Sequence, residues 1–216
     1  MYNLLKVITL ADGVDHDQFA GFISYATRAL TGLQSYMFEP TLDGVYNGGD
    51  FLWRAVFDDK AVAEAAIASD AWAKAAALIG DPATVTHVDS VAYEGWRSGG
   101  SSGGSGLYRV ALFCANVRPD ADRLAAFGEQ TSHMPDHVRS ILRWQLSVAD
   151  HAEGTRPWTH VWEQEYADLD GLNGPYMMHP VHWAHVERWF DTEYPEHLVD
   201  TELVHSFCAI QQPAIR

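Results

Sequence analysis

Three observations predict an α+β fold made of two tandem ferredoxin-like β-α-β-β-α-β modules packed sheet to sheet within one polypeptide. The 216-residue chain is divided almost evenly by SGGSSGGSG at residues 98–106, a stretch with no side chain to bury. Each half shows the same order of strand-like and helix-like segments. A single module of about 100 residues puts both helices on one face of a four-stranded sheet and leaves the other bare. The matching face of a second copy is the simplest cover, and the tether holds that copy at high effective concentration. The predicted division is a largely structural module at 1–97, a Gly/Ser linker at 98–106, natural or engineered, and a site-bearing module at 107–216.

In the first half, Leu4–Leu10 reads as a strand, and Asp15 can cap a helix whose apolar residues Phe19, Phe22, Ile23, Ala26, Leu30 and Leu33 keep helical spacing. SYMFEPTL and FLWRAVF follow as strands. In FLWRAVF, Phe51, Trp53, Ala55 and Phe57 alternate with Leu52 and Val56, so both faces are expected to be buried. An alanine-rich helix over 61–78 and the strand VTHVDSVAY complete the half. The second half repeats the order with LYRVALFCA, a helix over 120–132, LRWQLSVAD, THVWEQEYAD, a helix over 180–190 and TELVHSFCAI. Aligning Trp53 with Trp162 pairs Phe57 with Tyr166 and Asp59 with Asp168. Identity between the halves is low, so the order of elements carries the argument.

Apolar residues make up 47% of the chain and charged residues 20%, an ordinary globular composition. The formal net charge of −15 is shared evenly, −7 over residues 1–97 and −8 over the rest. Such a polyanion repels phosphate backbones and anionic membranes, which argues against both as partners. No run of 18 apolar residues and no basic leader is present, so a soluble, cytoplasmic protein is expected. Cys114 and Cys208 lie in apolar strand-like runs and read as buried thiols, although two strands of one sheet would bring them close. No GxSxG motif, phosphate-binding loop or nucleotide fingerprint occurs.

The 11 histidines are divided unequally, with His16 and His87 before the linker and nine after it, which places a site in the second module. The densest stretch runs from Gly174 to His185. Pro180 suits the first position of a helix, from which His182, Val186 and Trp189 recur on one face. On the preceding strand Trp158, His160, Trp162, Gln164 and Tyr166 share a face, expected to meet that helix. His160, His182 and Tyr176 would then converge in a chamber walled by tryptophan and methionine, a form typical of small-molecule sites. An imidazole that titrates near neutrality and a phenol that donates to a developing oxyanion together suit enolisation, aldol-type closure or a lyase step, with no cofactor. Two other readings stand beside this one: a packed aromatic core or non-catalytic binding module, and a metal site using two of His179, His182 and His185 with His160 or Glu163.

The run Tyr176-x-x-His179-Pro-x-His182, after a strand carrying Trp-Thr-His160-Val, resembles the stress-responsive dimeric α+β barrel (Dabb) family. The resemblance covers both halves in topology and the second in motif, and it implies an intramolecular dimeric α+β barrel. It also implies the chemistry of a cofactor-independent polyketide cyclase in that family, with Tyr176 and His182 as the catalytic pair and His160 lining the pocket. His179, Trp158, Trp162, Met178, Tyr108 and Trp183 are the other expected pocket residues. The cyclase's first-strand histidine falls near Tyr108 or Arg109, a departure in this chain. In the first half Trp72 stands where the second has His182, and Phe51 where it has His160, so one active half is expected. The expected partner is a small-molecule ligand, with no metal, and a further homo-oligomer is left open.

Overall fold

The computed structural model describes residues 1–100 and 103–215. The first half forms β1 (Tyr2–Leu10), α1 (His16–Arg28), β2 (Leu33–Pro40), β3 (Phe51–Phe57), α2 (Lys60–Ile67), α3 (Asp70–Ile79) and β4 (Val85–Gly100). The second forms β5 (Leu107–Phe113), α4 (Ala121–Ser132), the short α5 (Met134–His137), β6 (Arg143–Glu153), β7 (His160–Tyr166) and β8 (Val204–Ala209). The repeat is visible in the helix starts. Asp15 and Asp120 cap the first helix of each half by accepting the backbone N–H of Gln18 and Arg123. Asp59 and Asp168, the pair aligned through the tryptophans, do the same for the N–H of Val62 and Gly171.

The strands form one antiparallel sheet in the order β2-β3-β1-β4-β6-β7-β5-β8. Pairing of β4 with β6 splices the two modules, and the bridges Thr41–Cys208 and Tyr46–His205 bring the outer edges together, so the sheet curls into a nearly closed barrel. Inside it, Leu5, Leu52, Val91 and Tyr93 of the first half meet Val110, Leu112, Val161 and Cys208 of the second. Helices cover the outside. Cys114 and Cys208 are buried free thiols.

One polar cluster crosses this interior. Arg54 Nε donates to Glu163 Oε1 at 2.6 Å, its other nitrogens reach Ala214 O and Asn3 Oδ1, and Glu163 also accepts from Tyr108 and Gln145. Burial opposes the Arg54 charge, but Glu163 beside it more than offsets this and raises the guanidinium pKa. Arg54 and Glu163 follow the aligned tryptophans directly, so equivalent positions of the two modules carry opposite charges and touch.

Three sequence expectations are revised. Ser98–Gly100 are not tether: they continue β4 and pair with Arg143–Gln145. Glycine fits because a Cβ on Gly99 would lie 2.9 Å from the Trp144 indole, and one on Gly100 2.4 Å from Leu142 O. Ser105 is buried and donates to Glu165, while Ser101 and Ser102 lie outside the described residues. The helix expected over 61–78 is two helices, broken where the Ser69 hydroxyl bonds Ala66 O. The helix expected over 180–190 opens at Pro180 but widens to a π-turn at His182–Val186 and tightens to a 3₁₀ turn at Glu187–Trp189. A preceding π-turn, Leu172–Tyr176, contains Gly174 and Pro175, both poor helix formers.

Candidate functional site

On the helix side of the second module lies a cavity of about 370 Å³. Strand alternation builds its floor. In β5 the odd residues face the helices and the even ones the barrel, so Arg109 and Phe113 reach the cavity while Tyr108 turns inward. Ala111 pairs with Trp162 on one side and His205 on the other, and its small side chain leaves both larger ones room. The irregular turns supply Tyr176, Met177, His182, Val186 and Glu187 as walls. Tyr46, from the loop after β2, closes one side and exchanges two backbone hydrogen bonds with His205. The first module thus contributes to a site that otherwise belongs to the second.

Tyr176 and His182 meet edge to face at 4.9 Å between ring centroids, and the Arg109 guanidinium lies 5.5 Å from the Tyr176 ring centre. Burial, then the Arg109 charge, pushes His182 down to about 4. Burial, Arg109 and then His182 push His205 down to about 3. Both imidazoles are therefore neutral at pH 7. His182 Nδ1 stands 3.5 Å from Glu187 Oε1, an ion pair only if the ring is protonated, and makes no hydrogen bond there. Arg109 Nε, His205 Nε2, Trp162 Nε1 and Thr131 Oγ1 are likewise buried without a hydrogen-bond partner among the described residues. That many unsatisfied groups around one cavity is unusual for a packed core.

Of the residues singled out in the sequence, Tyr176, His182 and Trp162 come together here. His160 faces the helices as expected, but it packs edge-on against Phe127 at 5.3 Å and bonds Thr159 Oγ1 without lining the cavity. Burial pushes it down to about 4. His179 accepts the Val181 N–H at the Pro180 turn, while Met178 and Trp183 point to solvent at 67% and 55% exposure. Trp158 precedes β7, packs with the barrel interior and donates to Asp89. Tyr108 donates to Glu163 inside the barrel, so Arg109 is the β5 residue at the cavity. No three His, Cys, Asp or Glu side chains among the described residues converge as a metal site requires.

Arg109, His205, Glu187 and Tyr46 are cavity residues that the sequence reading did not select. Arg109 carried a signal, as a lone charge within the apolar run LYRVALF. His205 had the same kind of signal in VHSFCA, whereas nothing near Tyr46 pointed to the other module.

Comparison with known proteins finds a likeness to one family in the second half of the chain. The model of the Stress responsive A/B Barrel Domain, Dabb, matches residues 107–200. No curated protein sequence matches the chain. Among solved structures, an anthrone oxidase-like protein superposes with a TM-score of 0.71 at 12% identity, over 96% of this chain and 90% of its own. A provisionally named monooxygenase of Lactobacillus acidophilus gives 0.59 at 13% identity, over 98% of this chain and 99% of its own. Another from Fusobacterium nucleatum gives 0.64 at 7% identity, over 98% and 92%. At such identities the likeness is one of fold, and it spans both modules. No described helix is long and apolar enough to cross a membrane.

Proposed function

With residues 107–200 forming a stress-responsive A/B barrel domain, we propose that the cavity is the active site of a cofactor-independent cyclase or lyase acting on a small, partly apolar carbonyl compound. The observation that carries this reading is the juxtaposition of His182, neutral and without a hydrogen-bond partner at Nδ1, with Tyr176 at the wall of an apolar chamber. His182 removes a proton from the carbon next to the carbonyl. Tyr176 donates to the carbonyl oxygen as negative charge builds there. The carbanion then attacks a second carbonyl of the same molecule, or expels a leaving group, and His182 returns the proton. The apolar Trp162 and Phe113 walls lower the local dielectric, which strengthens both polar contacts.

Carbon–hydrogen exchange in D₂O tests this directly, read by NMR on a panel of 1,3-diketones and 3-oxo esters. The wild type should exchange the activated carbon, and His182→Ala should lose about a hundredfold or more of that rate while still binding the compound. Exchange that survives His182→Ala would remove the assignment, and binding with no exchange by the wild type would mark a module that only holds its ligand. The same carbanion can instead meet dioxygen, the direction suggested by the names of the anthrone oxidase-like and monooxygenase relatives. Oxygen uptake during the assay distinguishes the two outcomes.

A further inference from the structure

Among the described residues two arginines are deeply buried, and the fold treats them differently. Arg54, 2% exposed, has a carboxylate and two further acceptors. Arg109, 6% exposed, has one neutral acceptor, Gln164 Oε1 at 2.8 Å from Nη1. Its Nε is buried without a partner, and no carboxylate among the described residues lies within ion-pair distance of it. Glu187, the acid at the cavity wall, is placed toward His182 instead. Arginine carries a fixed positive charge in proteins, and the face of Tyr176 at 5.5 Å compensates it only in part. An uncompensated buried charge is costly enough that proteins keep one only where something else supplies the counter-charge.

We propose that Arg109 is an anion subsite of the cavity, completed by His205, and that the ligand is a small carboxylate with an apolar body. The inference rests on the reading of this cavity as a ligand site and adds the charge of what enters it. His205 Nε2 borders the same space with no partner, and in the tautomer protonated there it donates to a carboxylate oxygen beside the Arg109 fork. The apolar body then lies against Trp162, Phe113 and Val186. A carboxylate on Arg109 also fixes the orientation of the molecule, because His182 and Tyr176 stand on the turns opposite the β5–β8 floor.

The probe is 2-naphthoate, with the neutral 2-naphthamide as its isostere, titrated calorimetrically into the full-length protein. Naphthoate should bind about tenfold or more tightly than the amide, one molecule per chain, and Arg109→Gln should abolish the preference while leaving amide affinity unchanged. Thermal unfolding supplies the second measurement. Because the ligand-free charge is uncompensated, Arg109→Met should melt at or above the wild-type temperature without ligand and should lose the stabilisation by naphthoate. Equal binding of acid and amide, a preference that survives Arg109→Gln, binding of neither probe, or collapse of Arg109→Met would each overturn the proposal. His182→Ala should keep the carboxylate preference, so exchange that is absent from the wild type or survives His182→Ala counts against the catalytic reading alone and leaves this one standing.

Discussion

Replacing Arg54 by methionine tests how the two modules are held together. The side chain makes three hydrogen bonds, at 2.6 Å to Glu163, 2.7 Å to Ala214 O and 3.0 Å to Asn3. Its loss leaves Glu163 fully buried with only Tyr108 and Gln145 to donate to it. Breaking a buried pair from one side costs about 3–5 kcal/mol, a large fraction of the stability of an ordinary domain. Glu163→Gln alone should cost a similar amount, because it strands Arg54. The double variant removes both charges, keeps most of the shape, and should cost only about 1–2 kcal/mol, well below the sum of the singles. Urea unfolding of the four proteins followed by tryptophan fluorescence measures the coupling. Single-variant losses that add to within about 0.5 kcal/mol would refute the view that these residues act as one unit across the barrel.

Other expectations follow from the asymmetry of the modules and from the buried histidines. Trp72 stacks on Trp53 at 5.1 Å, so Trp72→Ala should destabilise by about 3–5 kcal/mol in urea unfolding while leaving naphthoate titration of the second module unchanged. His182→Ala should cost under about 1 kcal/mol, since its Nδ1 has no partner to strand. A loss above about 2 kcal/mol would favour a packed-core role. His160, His182 and His205 all sit below the ordinary value of 6.5, so the unfolded chain binds their protons first. Stability should be complete above pH 6.5 and fall as pH drops toward about 4, by up to about 3 kcal/mol per buried histidine, as read by urea midpoints across that range. Carbon–hydrogen exchange should hold steady across pH 5–8 and decline only as His182 protonates near about 4, and a kinetic midpoint at 6.5 would show that the imidazole is not desolvated.

The fold was legible where a local pattern had one physical outcome. Alternation in FLWRAVF names β3 residue by residue, and Asp15 marks a helix start through the one backbone geometry that satisfies its cap, whereas the caps at Asp59 and Asp168 show in the sequence only as an aligned pair. Reading failed where the outcome depended on a distant partner. Ser98–Gly100 have the composition of a tether, yet the pairing of β4 with β6 draws them into the sheet, and glycine is there because Trp144 and Leu142 come so close. The candidate site was half legible for the same reason. Tyr176 and His182 stood out as a motif, while Arg109 was one step of alternation away from the Tyr108 that was chosen, and Tyr46 arrives from the other module.

A chain holding two copies of one module can do what a symmetric pair cannot. At the barrel centre, Arg54 faces Glu163 from the equivalent position, so a first module paired with itself would set arginine against arginine, and a second would set glutamate against glutamate. Like charges buried at such a distance repel strongly, so the pairing of unlike modules is favoured over either self-pairing. The same freedom operates on the helix side. Trp72 fills the space over Trp53, whereas beside the aligned Trp162 the chain has two π-turns, His182 and an open cavity. Filled space on one side maintains the core that a cavity weakens, because lost packing costs stability in proportion to the void. The family match confined to residues 107–200 follows the same division. The module that resembles its relatives in sequence is the one that carries the cavity, and its partner keeps the fold, closes one wall through Tyr46 and supplies the arginine that Glu163 requires.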